Sequence, residues 1–350
     1  VFMHPYLTVV FPSFNRGRIL LNTIEKIKSE NLNNVSILVL DNASEKYLEE
    51  YRQIAEISNT QSWLEYFRHH KNVNFEGNIL AGFDLCKTNY LMFVSDEDYP
   101  NFEFIANNIN IFKKAGAYGV IRPSIGFKET NEFKKPINSC VYPDKTFERG
   151  AQAIKQFGLV GNYLSGVIYN KRIFDKYKFK NRLEKNLDIQ RFYPHLYLNC
   201  IFCGVSKSVF MSEISAFEGV PEVVSDNNVV QNDSSRYAGA YTYGARLDQF
   251  IALRDAFSEA LHLAKNQNPM DWADVYIALV GKFYHLILLA NSRLYHNDNQ
   301  IHISNISQSF REFATASARL QTPFRTHGEI IIKNINRIEQ LFLSKLNIPN

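Results

Sequence analysis

The feature that most constrains the fold is a repeating order in the first 125 or so residues, where short apolar runs alternate with longer stretches of helical period. The runs "LTVVFP" (7–12), "VSILVL" (35–40), "YLMFVS" (90–95) and "YGVIRP" (118–123) are rich in aliphatic and aromatic residues and are bounded by Pro, Asp, Asn or Ser. Between them, apolar residues recur every three or four positions over 18–29, 45–57, 77–86 and 102–114. Continuously apolar strands need cover on both faces, so the alternation predicts an α/β fold with a mostly parallel sheet flanked by helices. Ligands of such sheets gather at the carboxyl ends of the strands. Three of these ends are alike in being polar: "FPSFNR", "LDNAS" and "SDEDYP". They are expected to meet at one rim.

The rest of the chain sets the limits. With 350 residues, 45% of them hydrophobic, it can bury a large core. A net charge of +4, with Lys and Arg spread among acids, argues against a nucleic-acid partner. Four scattered cysteines make no disulfide framework and fit a reducing compartment; Cys200 and Cys203 sit in the apolar "LYLNCIFCGV" and read as buried thiols. No charged region and long apolar core precede "LTVVFP", so no signal peptide is expected. The apolar zone 275–290 holds Lys282 and His285 and falls short of the about 20 residues a membrane span needs.

Beyond residue 133 the pattern loosens. "LSGVIYN" (164–170) reads as a strand, "KRIFDKYKFKNRLEK" and "DIQRFYPHLYLNCIFCG" as helices, and "KSVFMSEIS" as a strand. Asn, Asp, Ser and Gly cluster over 219–240, as in a linker or mobile loop, and helical periods return over 246–264, 272–294 and 329–346.

Chemistry concentrates in the acids. Asp96, Glu97 and Asp98 crowd like charges after an apolar strand, an arrangement that costs stability unless a cation or hydrogen-bond donors sit among them. Mg2+ or Mn2+ would suit Asp96 and Asp98, taking one or two carboxylates and filling other positions with water and phosphate oxygens; a solvated turn is the plain alternative. Asp41 could accept from a base N–H or a ribose hydroxyl, while Ser44 reads as a helix cap. Pro12 and Asn15 shape the first turn, and Phe14 offers a ring face to a nucleobase.

Together, "TVVFPSFNR", "ILVLDNAS" and "NFEGNILAGFDLCKTNYLMFVSDED" resemble the amino-terminal half of family 2 glycosyltransferases of the GT-A fold, over roughly 7–110. "LSGVIYNKRIF" is similar to the acceptor-side strand of the O-antigen and capsule sugar transferases of that group. The resemblance implies a GT-A catalytic domain over 1–218 with a Rossmann-like mixed sheet, a linker or loop over 219–240 and a helical region over 241–350. It further implies a nucleotide-sugar site formed by Pro12, Ser13, Phe14, Asn15, Arg16, Asp41, Asn42, Asn74, Gly77, Asn78 and Asp96. Asp98 would hold Mn2+ or Mg2+, with Asp96 near the ribose or sharing the metal, and Asp41 would read the base. The implied reaction is inverting transfer of one sugar from a nucleotide-diphosphate sugar, a UDP-sugar being favoured, to a glycan or lipid-linked acceptor of a bacterial surface polysaccharide.

Departures narrow that picture. Phe14 replaces a usual Tyr, and the Asn74–Gly77 helix entry is one residue longer than the family's. The Q-x-x-R-W signature of processive synthases is missing, which favours single addition. No E-D pair marks the acceptor base, leaving Asp188, then Glu184, then His195 as candidates. Seven basic residues over 171–185 suit an acceptor diphosphate or an anionic membrane surface, which would place the protein in the cytoplasm at the inner face of the membrane. The apolar stripes of the C-terminal helices fit packing on the catalytic domain, pairing with a second copy, or resting on a bilayer. Two other readings compete: a sugar nucleotidyltransferase, against which the first turn lacks a glycine-rich phosphate cradle, and a non-catalytic binding protein, which the missing E-D pair would suit.

Overall fold

The computed structural model describes residues 5–30, 32–114, 116–127, 141–160, 163–185, 194–219, 243–266, 268–294 and 300–345. They form two compact units that interleave along the chain. The first takes the described residues of Val1–Phe147, Gly161–His195 and Ser206–Asp226; the second takes those of Glu148–Val160, Leu196–Val205 and Asn227–Asn350. Segments 148–160 and 196–205, which the sequence pattern joins to the α/β region, thus group with the C-terminal helices. The linker expected over 219–240 lies, apart from Gly219, outside the described residues.

The first unit is built on strands β1 (Leu7–Ser13), β2 (Val35–Asp41), β3 (Leu64–Arg68), β4 (Tyr90–Phe93), β5 (Tyr99–Pro100), β6 (Val120–Phe127), β7 (Lys145–Phe147), β8 (Ile168–Asn170) and β9 (Ser208–Glu218). Their order in the sheet is β3-β2-β1-β4-β8-β6-β9-β5, with β7 also on β9. β3, β2, β1 and β4 run parallel, β8 is antiparallel to both neighbours, and β6 and β9 are parallel to each other. The sheet is therefore mixed, as the family resemblance implied. Helices α1 (Gly17–Ile27), α2 (Leu48–Thr60), α3 (Asn74–Leu85), α4 (Phe102–Asn107) and α5 (Ile109–Lys113) fill the crossovers. The central strands are apolar on both faces, with Leu7, Val9, Val10, Phe11, Leu91, Met92 and Phe93 all fully buried.

Where expected helices break, a particular residue is responsible. The period over 102–114 divides at Asn108, whose buried side-chain amide donates to the Phe104 carbonyl (3.0 Å) and to Glu213 (3.1 Å). The basic run divides into helices Lys171–Lys176 and Phe179–Lys185 around Lys178, which adopts φ +52°. Phe174, Phe179 and Leu183 point inward, Phe174 stacking on Phe83 at 3.9 Å, so the run is a packed amphipathic segment with Arg172, Lys176 and Lys178 exposed.

The second unit is helical: Tyr243–Leu263, Pro269–Leu294, Gln300–Arg319 and Phe324–Lys345. Phe250 meets Tyr276, Phe283 and Phe310 edge-on at 5.4–5.7 Å, an aromatic cluster that explains the apolar stripes as core. Cys200 and Cys203 are fully buried, and burial pushes the Cys200 thiol up to about 12, so neither behaves as a reactive thiol. Among the described residues, no helix is long and apolar enough to cross a membrane.

Gly166, just before β8, shows why "LSG" is spelled that way. Its φ is +80°, and a Cβ there would lie 2.3 Å from the Ser215 hydroxyl and 2.8 Å from Ile125. Gly166→Ala should therefore destabilise the protein by about 1–3 kcal/mol, combining backbone strain with a clash, as read by urea unfolding. An unchanged midpoint would contradict this account of the turn.

Candidate active site

Because β2, β1 and β4 are adjacent and parallel, their carboxyl ends share one rim, and Ser13 stands in register with Asp41. Two loops at this rim are laced together by side chains. Asn15, at φ +58°, accepts from the backbone N–H groups of Glu45 (2.8 Å) and Lys46 (3.0 Å), while its own N–H donates to the Ser44 hydroxyl (2.8 Å). Asn42 reaches the third loop, accepting from the Val73 N–H (2.8 Å) and donating to Asn72 (3.0 Å) and the Asn74 carbonyl (3.2 Å). Asn78 donates to the Leu40 carbonyl (3.1 Å) at the end of β2.

Asp41 is fully buried. It accepts from the Ser44 N–H (2.8 Å), from the Tyr66 hydroxyl (2.8 Å) and from Arg68, whose guanidinium also donates to the Ser44 carbonyl (2.7 Å). Tyr66 and Arg68 come from β3, in which only Leu64 is buried. Burial, reinforced by the Asp41 charge, holds the Tyr66 phenol protonated well above its ordinary value.

The three consecutive acids separate. Asp96 turns toward the first loop: Ser13 donates to it at 2.9 Å, and Arg16 at 3.1 Å. The same Arg16 Nη1 also donates to Glu97 at 2.7 Å. Burial raises the Asp96 pKa well above its usual range, and the neighbouring Glu97 adds to that effect. Burial also disfavours the Glu97 charge, but hydrogen bonding from Asp96 and the nearness of Arg16 outweigh it and lower its pKa.

Asp98 turns the opposite way. Its Oδ2 accepts from the Tyr163 hydroxyl (2.7 Å) and the Ser165 hydroxyl (2.5 Å), and its Oδ1 accepts from the Gly219 N–H (3.0 Å). Gly219 follows β9 directly, and β9 pairs with β5 just after the acids. Burial lifts the Asp98 carboxyl to about 6, against the opposing pull of its donors Ser165 and Tyr163. The repulsion expected among the acids is therefore relieved by divergent side chains, each with protein donors, rather than by a cation alone. Among the described residues no group of three or more His, Cys, Asp or Glu gathers as a metal cage.

Residues 8–178 match the family model described as "Glycosyl transferase family 2". Over these residues, just under half of its length, the chain belongs to the family 2 glycosyltransferases. It is an enzyme, a glycosyltransferase, and its GT-A fold is also that of S. aureus TarS 1-349 in complex with UDP-GlcNAc, at a TM-score of 0.60 and 10% identity, over 97% of this chain and 92% of that one. The mannosyltransferase PcManGT from Pyrobaculum calidifontis, solved with GDP-Man and Mn2+, aligns over 97% of this chain and 87% of its own with 12% identity, at a TM-score of only 0.45. No curated protein matches the chain.

Of the residues read from the sequence of this glycosyltransferase, the structure brings Ser13, Asn15, Arg16, Asp41, Asn42, Asn78 and Asp96 to the rim in small hydrogen-bonded groups: Asp96 with Ser13 and Arg16, Asn15 and Asp41 through Ser44, Asn42 with Val73, and Asn78 with Leu40. Pro12 and Phe14 flank it on the same strand end, half-buried, and Asn74 and Gly77 open α3 beside it. Asp98 attaches to the β8–β9 side. Of the base candidates, Asp188 lies outside the described residues, Glu184 is exposed on its helix near Lys180, and His195 is buried, its carbonyl accepting from Tyr169 (3.4 Å). Tyr66, Arg68, Tyr163, Gly219 and Tyr51, whose hydroxyl lies 2.6 Å from that of Ser13 and accepts from the Arg16 N–H (3.1 Å), escaped sequence reasoning. Only "LSG", which contains Ser165, carried a signal.

A largely apolar cavity of about 770 Å3 belongs to the second unit, lined by His262, Asn268, Trp272 and Thr322 among others. It contains none of these residues.

A carboxyl whose folded pKa is raised binds its proton more tightly in the folded state, so folding gains most below the unfolded value near 3.8 and loses that gain as pH rises through about 6. In metal-free protein, Asp98→Asn, which removes the buried charge, should raise the unfolding free energy at pH 8 by on the order of 1–3 kcal/mol. The gain should shrink as pH falls to 5. A pH-independent difference would show that burial of this charge is not the cause.

Proposed function

We propose that this glycosyltransferase moves one sugar, with inversion, from a nucleotide-diphosphate sugar to a hydroxyl of a glycan or lipid-linked acceptor in bacterial surface polysaccharide synthesis. The observation that carries the reading is the meeting of Ser13, Arg16, Asp41 and Asp96 at one carboxyl-end rim, with Asp98 in the same acidic loop. The UDP-GlcNAc bound by S. aureus TarS, which has this fold, supports a UDP-sugar as donor.

The chain's residues divide the work. The loops laced by Asn15 and Asn42 form a firm floor for the nucleoside, and Arg68, 41% exposed at its side chain and held by Asp41, presents a guanidinium there. This changes the part given to Asp41: itself buried and bonded to the part-exposed Arg68, it acts on a base through that guanidinium. Arg16 is 40% exposed while anchored to Asp96 and Glu97, which fits attraction of a diphosphate.

Mn2+ or Mg2+ fits the donor set through Asp98, because Oδ1 accepts one hydrogen bond and retains a lone pair, and such ions need only one or two carboxylates beside phosphate oxygens. Bound there, the ion would offset charge on the departing diphosphate. Inversion requires a base to take the proton of the acceptor hydroxyl as its oxygen bonds the anomeric carbon and the bond to the diphosphate breaks. Asp188 is our choice for that base, since His195 is buried and Glu184 sits on an exposed helix. The basic run 171–185 supports an acceptor carrying phosphate and a location at the inner face of the cytoplasmic membrane.

A UDP-sugar with Mn2+ should raise the melting temperature beyond what either adds alone, and Asp98→Ala should abolish the metal-dependent part. In donor-transfer assays Asp188→Asn should lower kcat by about a hundredfold or more with little change in donor KM. A normal Mn2+ response in the first variant would refute the metal assignment; full turnover in the second would refute the base.

A further inference from the structure

We propose that Tyr163 and Ser165 are positioning residues that restrict Asp98 to one coordinating direction and thereby set which divalent cation the site accepts. The inference rests on the metal reading above. It begins with an acceptor count. A carboxylate oxygen offers two lone pairs. Oδ2 of Asp98 spends both, on the Tyr163 hydroxyl at 2.7 Å and the Ser165 hydroxyl at 2.5 Å, while Oδ1 spends one on the Gly219 N–H at 3.0 Å. A single direction on Oδ1 remains for a cation.

The donors are themselves held in place. Ser165 Oγ accepts from the Ser95 N–H (2.8 Å), and the Ser95 carbonyl accepts from the Asp98 N–H (3.0 Å), so hydroxyl and carboxylate share one small ring of bonds. The carbonyl of Tyr163 accepts from the buried Arg122 at 3.5 Å. At Gly219 an added Cβ would lie 1.8 Å from the Glu97 carbonyl oxygen, so the chain presses against the acidic loop there and aims its N–H at Asp98. Asp98 is fully buried and its side chain has little freedom to swing.

A one-oxygen ligand of fixed direction suits small cations that demand octahedral geometry. Ca2+ prefers more oxygens, often from a two-oxygen carboxylate in a flexible shell. Removing a donor from Oδ2 would free that oxygen, and the carboxylate could then offer both. The tyrosine and serine would therefore favour Mn2+ or Mg2+ over Ca2+ by holding one oxygen away from the ion.

The test is isothermal titration of the full chain with Mn2+ and, separately, Ca2+, each with UDP present, for wild type, Tyr163→Phe and Ser165→Ala. Each variant should weaken Mn2+ binding by about tenfold, the scale usual for losing a partner that orients a ligand, while Ca2+ binding holds or tightens. The Mn2+ to Ca2+ preference should then fall about tenfold or more. Equal losses for both ions would mark the two residues as merely structural, and unchanged affinities would give them no part; either result overturns the inference and leaves the metal reading intact. If wild type takes up no Mn2+ with UDP, the metal reading fails and this inference falls with it.

Discussion

A carboxylate withdrawn from water must be met by donors, and this requirement organises the first unit from its strands outward. Asp41, Asp96 and Asp98 are all buried, and each is met differently: Asp41 by a backbone N–H, a phenol and a guanidinium, Asp96 by a serine and an arginine, Asp98 by two hydroxyls and a backbone N–H. Those donors come from β1, the loop after β2, β3, the turn before α1, the segment before β8 and the residue after β9. Satisfying three side chains therefore brings together parts of the chain more than a hundred residues apart.

The same bonds connect packing to the candidate site. Ser13 is in register with Asp41 because β1 and β2 are parallel neighbours, and it donates to Asp96 because β4 lies on the other side of β1. The central strand thus transmits the order of the sheet directly into the spacing of the acids. Loops tied side chain to backbone at Asn15 and Asn42 limit the motion of the rim before any substrate arrives, which lowers the ordering cost of binding. Burial of Asp98 opposes this economy: its charge is held at a cost to folding, as is common where function calls for an ion or a substrate to complete the site.

Much of this fold was legible. Apolar runs that need cover on two faces could only be interior strands, and β1, β2, β4 and β6 appear within a few residues of where the pattern placed them. Asp41, Asp96 and Asp98 stood out less by themselves, since a solvated turn also explains acids after a strand, than by the order and spacing of the runs that end in them. β3 did not stand out: "LEYFR" buries one side chain and carries no apolar run, yet it delivers Tyr66 and Arg68 to Asp41. Helix Gln300–Arg319 was equally silent, its polar face diluting the helical period.

What the sequence determined by itself was local: which runs are strands, which are helices, and that the acids fall at strand ends, because hydrophobic periodicity and the residues bounding it are properties of neighbours along the chain. The tertiary structure alone decided the partners of each acid, the parting of Asp96 from Asp98 and the grouping of 148–160 and 196–205 with the C-terminal helices. Those outcomes depend on which strands lie side by side and which loops that order brings into hydrogen-bonding range. No pattern confined to adjacent residues encodes a contact between Asp98 and Tyr163, because only the pairing of β4 with β8 and of β5 with β9 closes the distance between them.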